Sequence, residues 1–194
     1  MKIVLATGNP NKVLEIRSIL SSNMTVLPQT ELDIPSPVET GLTFVENAII
    51  KARNAAAFSG LPAIADDSGL LVDFLDGAPG VYSSRYAGDD ATDDDNNARL
   101  LAALSGVPRE KRAAQFYCVM VLLKHERDPS PLIAQGTWRG EILTEPRGTG
   151  GFGYDPVFYV PEFGRAVAEL TRDEKHRASH RGQALVQLKN LMNA

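Results

Sequence analysis

Apolar and polar positions follow two different periods along this chain, and the switches between them mark out its elements. Residues 3–6, Ile3-Val4-Leu5-Ala6, are apolar without a break, the pattern of a strand buried on both faces. From Pro10 the spacing turns helical, with Val13, Ile16 and Leu20 on one face; Asn9 suits the N-cap and Pro10 the first helical position. Residues 24–27 predict a second strand, followed by a loop rich in proline and acids over 32–41. The strongest helical pattern covers 43–58, opened by Thr43 and Glu46 at capping-box spacing and closed by Ser59-Gly60. A strand over 63–65 runs into Asp66-Asp67, and 70–72 continues as extended chain. A turn at 77–80 and a helix over 92–104, ended by Gly106, come next. Two long strands, 113–123 and 132–143, read as a meander joined near Asp128-Pro129. A glycine loop over 148–155, a short strand at 157–160, one helical turn at 171–175 and a final helix over 179–191 complete the chain. Helices alternate with strands early and strands pair with each other late, which predicts an α/β fold with a mixed sheet in a single domain spanning 1–194.

Four stretches carry candidate chemistry. Thr7-Gly8-Asn9-Pro10-Asn11-Lys12 joins a strand to a helix, where free backbone N–H groups and the helix dipole favour an anion and Lys12 adds charge; an ordinary capped helix start has the same look. In Ala65-Asp66-Asp67-Ser68-Gly69 an acid pair sits at a strand end. Adjacent residues of a strand face opposite ways, so one carboxylate readily enters a given pocket, where it could hold Mg²⁺ and deprotonate water; the same residues are also common in turns. Gly148-Thr149-Gly150-Gly151-Phe152-Gly153 matches G-x-G-x-x-G, yet Asp155-Pro156 follows at once, so it opens no helix as a dinucleotide-binding turn must. Phe152 between glycines could instead cover a base, or simply pack in a tight turn. Ser179-His180-Arg181 sets two potential cations at a helix start, against the dipole, which a bound anion or an electron-rich base edge would offset. On the helix over 43–58, Asn47, Lys51 and Asn54 share a face that is either a polar wall or a solvated one.

The totals narrow the picture. The chain has 194 residues, 43% hydrophobic and 23% charged, enough for a proper core. With 24 acids against 20 bases its net charge is -4, which argues against a general nucleic-acid binder. Cys118 is the only cysteine, so no internal disulfide forms and a cytoplasmic home is expected; its apolar strand marks it as core. No apolar stretch approaches the ~20 residues of a membrane helix. His176 and His180 lack the glutamate of a zinc-protease helix, and the acids Asp89, Asp90, Asp93, Asp94 and Asp95 lack a calcium-loop pattern and suit the N-terminus of the 92–104 helix.

Taken in order, these motifs resemble the inosine triphosphate pyrophosphatase family, the XTP/dITP diphosphatases that remove deaminated purine nucleotides. The likeness runs from Val4-Leu5-Ala6-Thr7-Gly8-Asn9 to Ser179-His180-Arg181-Gly182-Gln183-Ala184-Leu185. Between them lie Glu39-Thr40-Gly41, Glu46-Asn47-Ala48-Ile49-Ile50-Lys51-Ala52, Ala65-Asp66-Asp67-Ser68-Gly69-Leu70, Gly77-Ala78-Pro79-Gly80-Val81-Tyr82-Ser83-Ser84-Arg85 and Gly150-Gly151-Phe152-Gly153-Tyr154-Asp155-Pro156. The resemblance implies an elongated mixed sheet with flanking helices, two lobes around a central nucleotide cleft, and a homodimer. It also implies Mg²⁺-dependent hydrolysis of ITP, dITP or XTP to the monophosphate and pyrophosphate. By the same likeness Thr7, Gly8, Asn9, Pro10, Asn11, Lys12 and Lys51 bind the triphosphate, and Asp67 is proton acceptor and metal ligand. Ser68 touches substrate, Phe152, Gly153, Tyr154 and Asp155 cover the base and approach the sugar, and Lys175, His180 and Arg181 read the base. Family members often carry two acids before Thr-Gly; here the first is Val38 and only Glu39 remains, so Glu39 and Asp66 stand as alternative further metal ligands. A Maf-like pyrimidine nucleotide pyrophosphatase and a non-catalytic nucleotide sensor are the competing readings.

Overall fold

Seven strands form one sheet in the order β2-β1-β3-β4-β5-β6-β7. They are β1 (Lys2–Leu5), β2 (Thr25–Pro28), β3 (Ala63–Val72), β4 (Ala113–Leu123), β5 (Leu132–Ile142), β6 (Phe158–Val160) and β7 (Arg165–Ala166). The helices are α1 (Pro10–Ile19), α2 (Phe44–Ser59), α3 (Asp93–Ala103), α4 (Arg172–Ala178) and α5 (His180–Met192), with short 3-10 turns between. This computed structural model describes residues 2–20 and 24–193, without the side chains of Asn11, Ser18 and Ile19. β1 runs parallel to β2 and to β3, as strands linked through helices must, while β5–β6 pair antiparallel across the long segment that holds the glycine loop and β6–β7 pair antiparallel across a short turn. The mixed α/β sheet expected from the pattern is therefore present.

The residues divide into two compact units. One is drawn from Met1–Asp67, Cys118–Gly136 and His180–Ala194, the other from Ser68–Tyr117 and Thr137–Ser179. In the first, Ile3, Leu5, Ile64, Cys118, Met120 and Ala134 of the strands pack with Ile16 of α1 and Leu185 and Leu188 of α5. Val4, Ala63 and Ala65 alternate with those strand residues and so face the other way, toward the side of α2, whose Ala48, Ala52, Ala55 and Ala56 are buried. Small residues on both partners let that helix approach the sheet closely. The second unit has its own core of Leu70, Val72, Leu100, Phe116, Trp138, Tyr154 and Phe158. There Arg112 is a buried staple, its guanidinium donating to the carbonyls of Ile142 (2.7 Å), Leu104 (2.7 Å) and Leu143 (2.6 Å).

Local rules hold at the helix ends. Thr43 and Glu46 form the capping box of α2, and Gly60 closes it in the left-handed region at φ 67°. Thr92 with Asp95 and Thr171 with Glu174 form two more boxes. Three expectations need correction. The acid pair interrupts no strand: β3 runs unbroken through Asp66-Asp67-Ser68-Gly69, because cations from the helices compensate both charges. The single turn at 171–175 is a seven-residue helix, α4, and Ser179 stays outside α5 in extended backbone at ψ 152°. β7, only two residues long, gives no periodic signal.

Candidate active site

Parallel strands deliver the acid pair to its place. Leu5 is level with Ile64, so β3 overshoots the end of β1 just where Thr7 and the turn into α1 begin. The carboxyl ends of parallel strands are where open α/β sheets bind ligands. The turn is self-bracing: the Asn9 N–H donates to Thr7 Oγ1 at 3.1 Å, and Asn9 Oδ1 accepts from the Lys12 N–H at 3.4 Å, which makes Asn9 the cap foreseen for α1. Pro10 is the first helical residue, and Gly8 lies between Thr7 and Asn9. Of Asn11, whose side chain lies outside the described residues, only the backbone in α1 is placed.

Strand alternation then sends the two acids to different partners. Asp66 shares the face of Ile64, toward α1 and α5. Its Oδ2 lies 2.9 Å from Lys12 Nζ and 3.3 Å from Arg181 Nε, while the same guanidinium reaches Glu15 Oε2 at 2.8 Å. Burial alone would push the Asp66 carboxyl up, but Lys12 and Arg181 hold it well below the usual carboxylate range. Arg181 is correspondingly raised: burial opposes its charge, and Asp66 and Glu15 outweigh that opposition. The cations at the start of α5 were expected to need a bound anion or base edge; Asp66 and Glu15 supply the compensation for Arg181 from within. His180, also buried, opens α5 against β5, where a Cβ on Gly136 would collide with the His180 carbonyl.

Asp67 shares the face of Ala65, toward α2. Its Oδ1 lies 2.8 Å from Lys51 Nζ, and its Oδ2 accepts from Asn47 Nδ2 at 3.4 Å. Lys51 Nζ also lies 3.3 Å from Glu39 Oε1. Asn47 turns its other end to the Gly41 N–H at 2.8 Å, which ties the Glu39-Thr40-Gly41 segment to α2, and a Cβ on Gly41 would crowd that same oxygen. Burial pushes the Asp67 carboxyl above its ordinary value, with Lys51 opposing and Glu39 reinforcing the rise. Lys51 is raised: burial works against its charge, and Asp67, Asp66 and Glu39 together overcome it. The Asn47–Lys51 face of α2 is thus a polar wall and not a solvated surface; Asn54, lower on it, donates to the Pro35 carbonyl at 2.7 Å. Ser68 follows Asp67 in β3, half-buried.

The second unit gathers its own group. The Asp155 carboxylate accepts from the Phe152 N–H at 2.9 Å and lies 2.5 Å from Lys175 Nζ, which sits 4.4 Å from the centre of the Phe152 ring. Gly151, at φ 80°, lies so close to that carboxylate that a Cβ there would overlap it. Tyr154 is withdrawn into the core, its hydroxyl donating to the Ser83 carbonyl at 2.8 Å. Gly153 is gripped from α3 by two residues that sequence reasoning passed over as sites, Asp93 and Asn97. Glu15 and Asn47 were likewise missed as partners of Arg181 and Asp67. Spacing gives no signal for Glu15, whereas Asn47 shares the helix face with Lys51. Among the described residues, no group of three or more His, Cys, Asp or Glu side chains is gathered to hold a metal, and no helix is long and apolar enough to cross a membrane.

Comparison with known proteins adds to this geometry. The model of the Ham1 family matches residues 3–191. The dITP/XTP pyrophosphatase of Yersinia pseudotuberculosis serotype I is 62% identical over 185 residues, 95% of this chain and 94% of that protein. The dITP/XTP pyrophosphatase of Escherichia coli K12 is 58% identical over the same lengths of each chain. Among solved structures, a HAM1 protein from Coxiella burnetii superposes with a TM-score of 0.94 at 52% identity, covering 100% of this chain and 98% of its own. The Staphylococcus aureus Ham1 protein gives 0.90 at 38% identity, with 100% and 98% covered.

Proposed function

The chain belongs to the Ham1 family, and from that premise we propose that it is a dITP/XTP pyrophosphatase, hydrolysing deaminated purine nucleoside triphosphates to the monophosphate and pyrophosphate. The observation that carries the reading is the layout around Asp67. A carboxylate on β3 just beyond the end of the parallel β1, pushed above its ordinary pKa by burial and touching one lysine, is suited to take a proton from water.

In this mechanism water attacks the phosphorus next to the ribose. Asp67 accepts its proton, and the Asn47 amide keeps the carboxylate turned. Lys51 and Lys12 stabilise the charge gathering on the departing pyrophosphate, and the 7–12 turn adds backbone N–H groups at the start of α1. Asp66 holds Lys12 in place and is best understood as part of that scaffold. Magnesium fits the remaining donors: Glu39 and Asp67 already converge on one cationic group, Lys51 Nζ, and Mg²⁺ is commonly held by one or two carboxylates together with waters and substrate phosphates. Bound there, it would neutralise phosphate charge.

Selection of the base rests on the 6-oxo group. Lys175, in the same unit as Phe152, offers N–H donors, which suit a carbonyl and leave the amino group of adenine unmatched, while Phe152 covers the ring face. A site built for a hydrogen bond discriminates strongly against a base that cannot make it. Pyrophosphate release measured on dITP, XTP, ITP, ATP and GTP with Mg²⁺ is expected to favour the deaminated purines over ATP by about 10²-fold or more. Equal rates on ATP, or release from none, would overturn the assignment.

A further inference from the structure

The loop that carries Phe152 is held from outside itself. Asp93, in the first turn of α3, accepts from the Gly153 N–H at 2.6 Å, and Asn97, one turn on, donates to the Gly153 carbonyl at 2.9 Å. Both polar groups of one residue are caught by one helix. Gly153 and Gly151 lie at φ 61° and 80°, where glycine alone is at ease, and glycines at 148, 150, 151 and 153 leave this segment with much backbone freedom to lose. Asn97 is buried in the second unit, whereas Asp93 is exposed and belongs to no capping box; that role falls to Thr92 and Asp95. The dipole of α3 could be served equally by Asp94, so the dipole does not explain the aim of the Asp93 carboxylate.

We propose that Asp93 and Asn97 are positioning residues for substrate: they clamp the Gly153 peptide so that Phe152 and Asp155 are already arranged when the purine arrives. The inference rests on the proposed contact of Phe152 with the base. A loop ordered in advance binds more tightly than one that is competent only part of the time, because apparent affinity falls with the competent fraction. Loss of the clamp therefore raises KM and leaves kcat, set at Asp67, nearly unchanged.

The experiment compares Asp93→Ala, Asp93→Asn, Asp94→Ala and Phe152→Ala on dITP, with pyrophosphate inhibition as a ligand that lacks a base. Asp93→Ala is expected to raise KM about tenfold, the effect of losing one hydrogen bond to a charged group, with kcat within about twofold. Its inhibition constant for pyrophosphate stays at the parental value. Asp93→Asn restores KM, since the amide oxygen accepts the same bond, and Asp94→Ala changes nothing. An unchanged KM in Asp93→Ala beside a raised KM in Phe152→Ala would overturn the clamp while leaving the base contact standing. An unchanged KM in Phe152→Ala would overturn the base contact and the clamp with it. Weakened pyrophosphate inhibition in Asp93→Ala would show a general disturbance and contradict the positioning role.

Discussion

Asp67→Asn is expected to lower kcat on dITP by about 10²- to 10⁴-fold, the range a positioned general base contributes. The substitution keeps the shape of the side chain, so an amide can still meet Asn47 and Lys51, but it cannot accept the proton of the attacking water. KM should move little, because the lysines and the turn before α1 that hold the triphosphate remain. Steady-state kinetics beside a circular dichroism spectrum and a melting curve check the claim. A folded variant turning over at the parental rate would remove Asp67 from its assigned role and with it the reason for placing the chemistry where β3 passes the end of β1.

The largest stability effect is expected at its neighbour. Asp66→Ala removes the carboxylate shared by Lys12 and Arg181 and leaves their buried charges short of a partner, while Glu15 still compensates part of Arg181. Breaking a buried ion pair by deleting one member costs about 3–5 kcal/mol, which for a chain of this length corresponds to a Tm lowered by roughly 10 °C. The pH dependence has a definite sign. Asp66 is held below the ordinary carboxylate range in the folded protein, so its contribution is complete above that range and is lost as pH falls toward the depressed value. The gap in Tm between Asp66→Ala and the parent should therefore be full at pH 7 and narrow once the pH drops below about 4. Melting curves across that span test it; equal Tm values at neutral pH would mean that the buried charges find other compensation.

Much of this was legible beforehand, and the exceptions have physical causes. Apolar periodicity located β1, α1, α2, β4 and β5 because each buries a continuous face, and the capping box at Thr43 and the left-handed Gly60 fixed the ends of α2. The acid pair was legible as chemistry but not as strand. Its charges argue locally for a turn, and the cations that make an extended, buried Asp66 tolerable come from Lys12 and from Arg181, which lies 115 residues further on. Pairings of that range leave no periodic trace. The place of the Tyr154 side chain has a related cause: nothing in the glycine loop shows that its hydroxyl turns to Ser83, 71 residues earlier. Asp93 looked like one more acid at a helix start, since the sequence holds no sign that the glycine loop, 60 residues away, comes back to meet it.

The central claim is that Asp67, where β3 passes the end of β1, directs water to the phosphorus beside the ribose. Turnover of dITP in water labelled with heavy oxygen, followed by mass analysis of both products, tests it most directly. The account predicts one labelled oxygen in the nucleoside monophosphate and none in the pyrophosphate. Label in the pyrophosphate would mean that water attacks the next phosphorus along, and the arrangement of Asp67, Lys51 and Lys12 proposed above would be wrong.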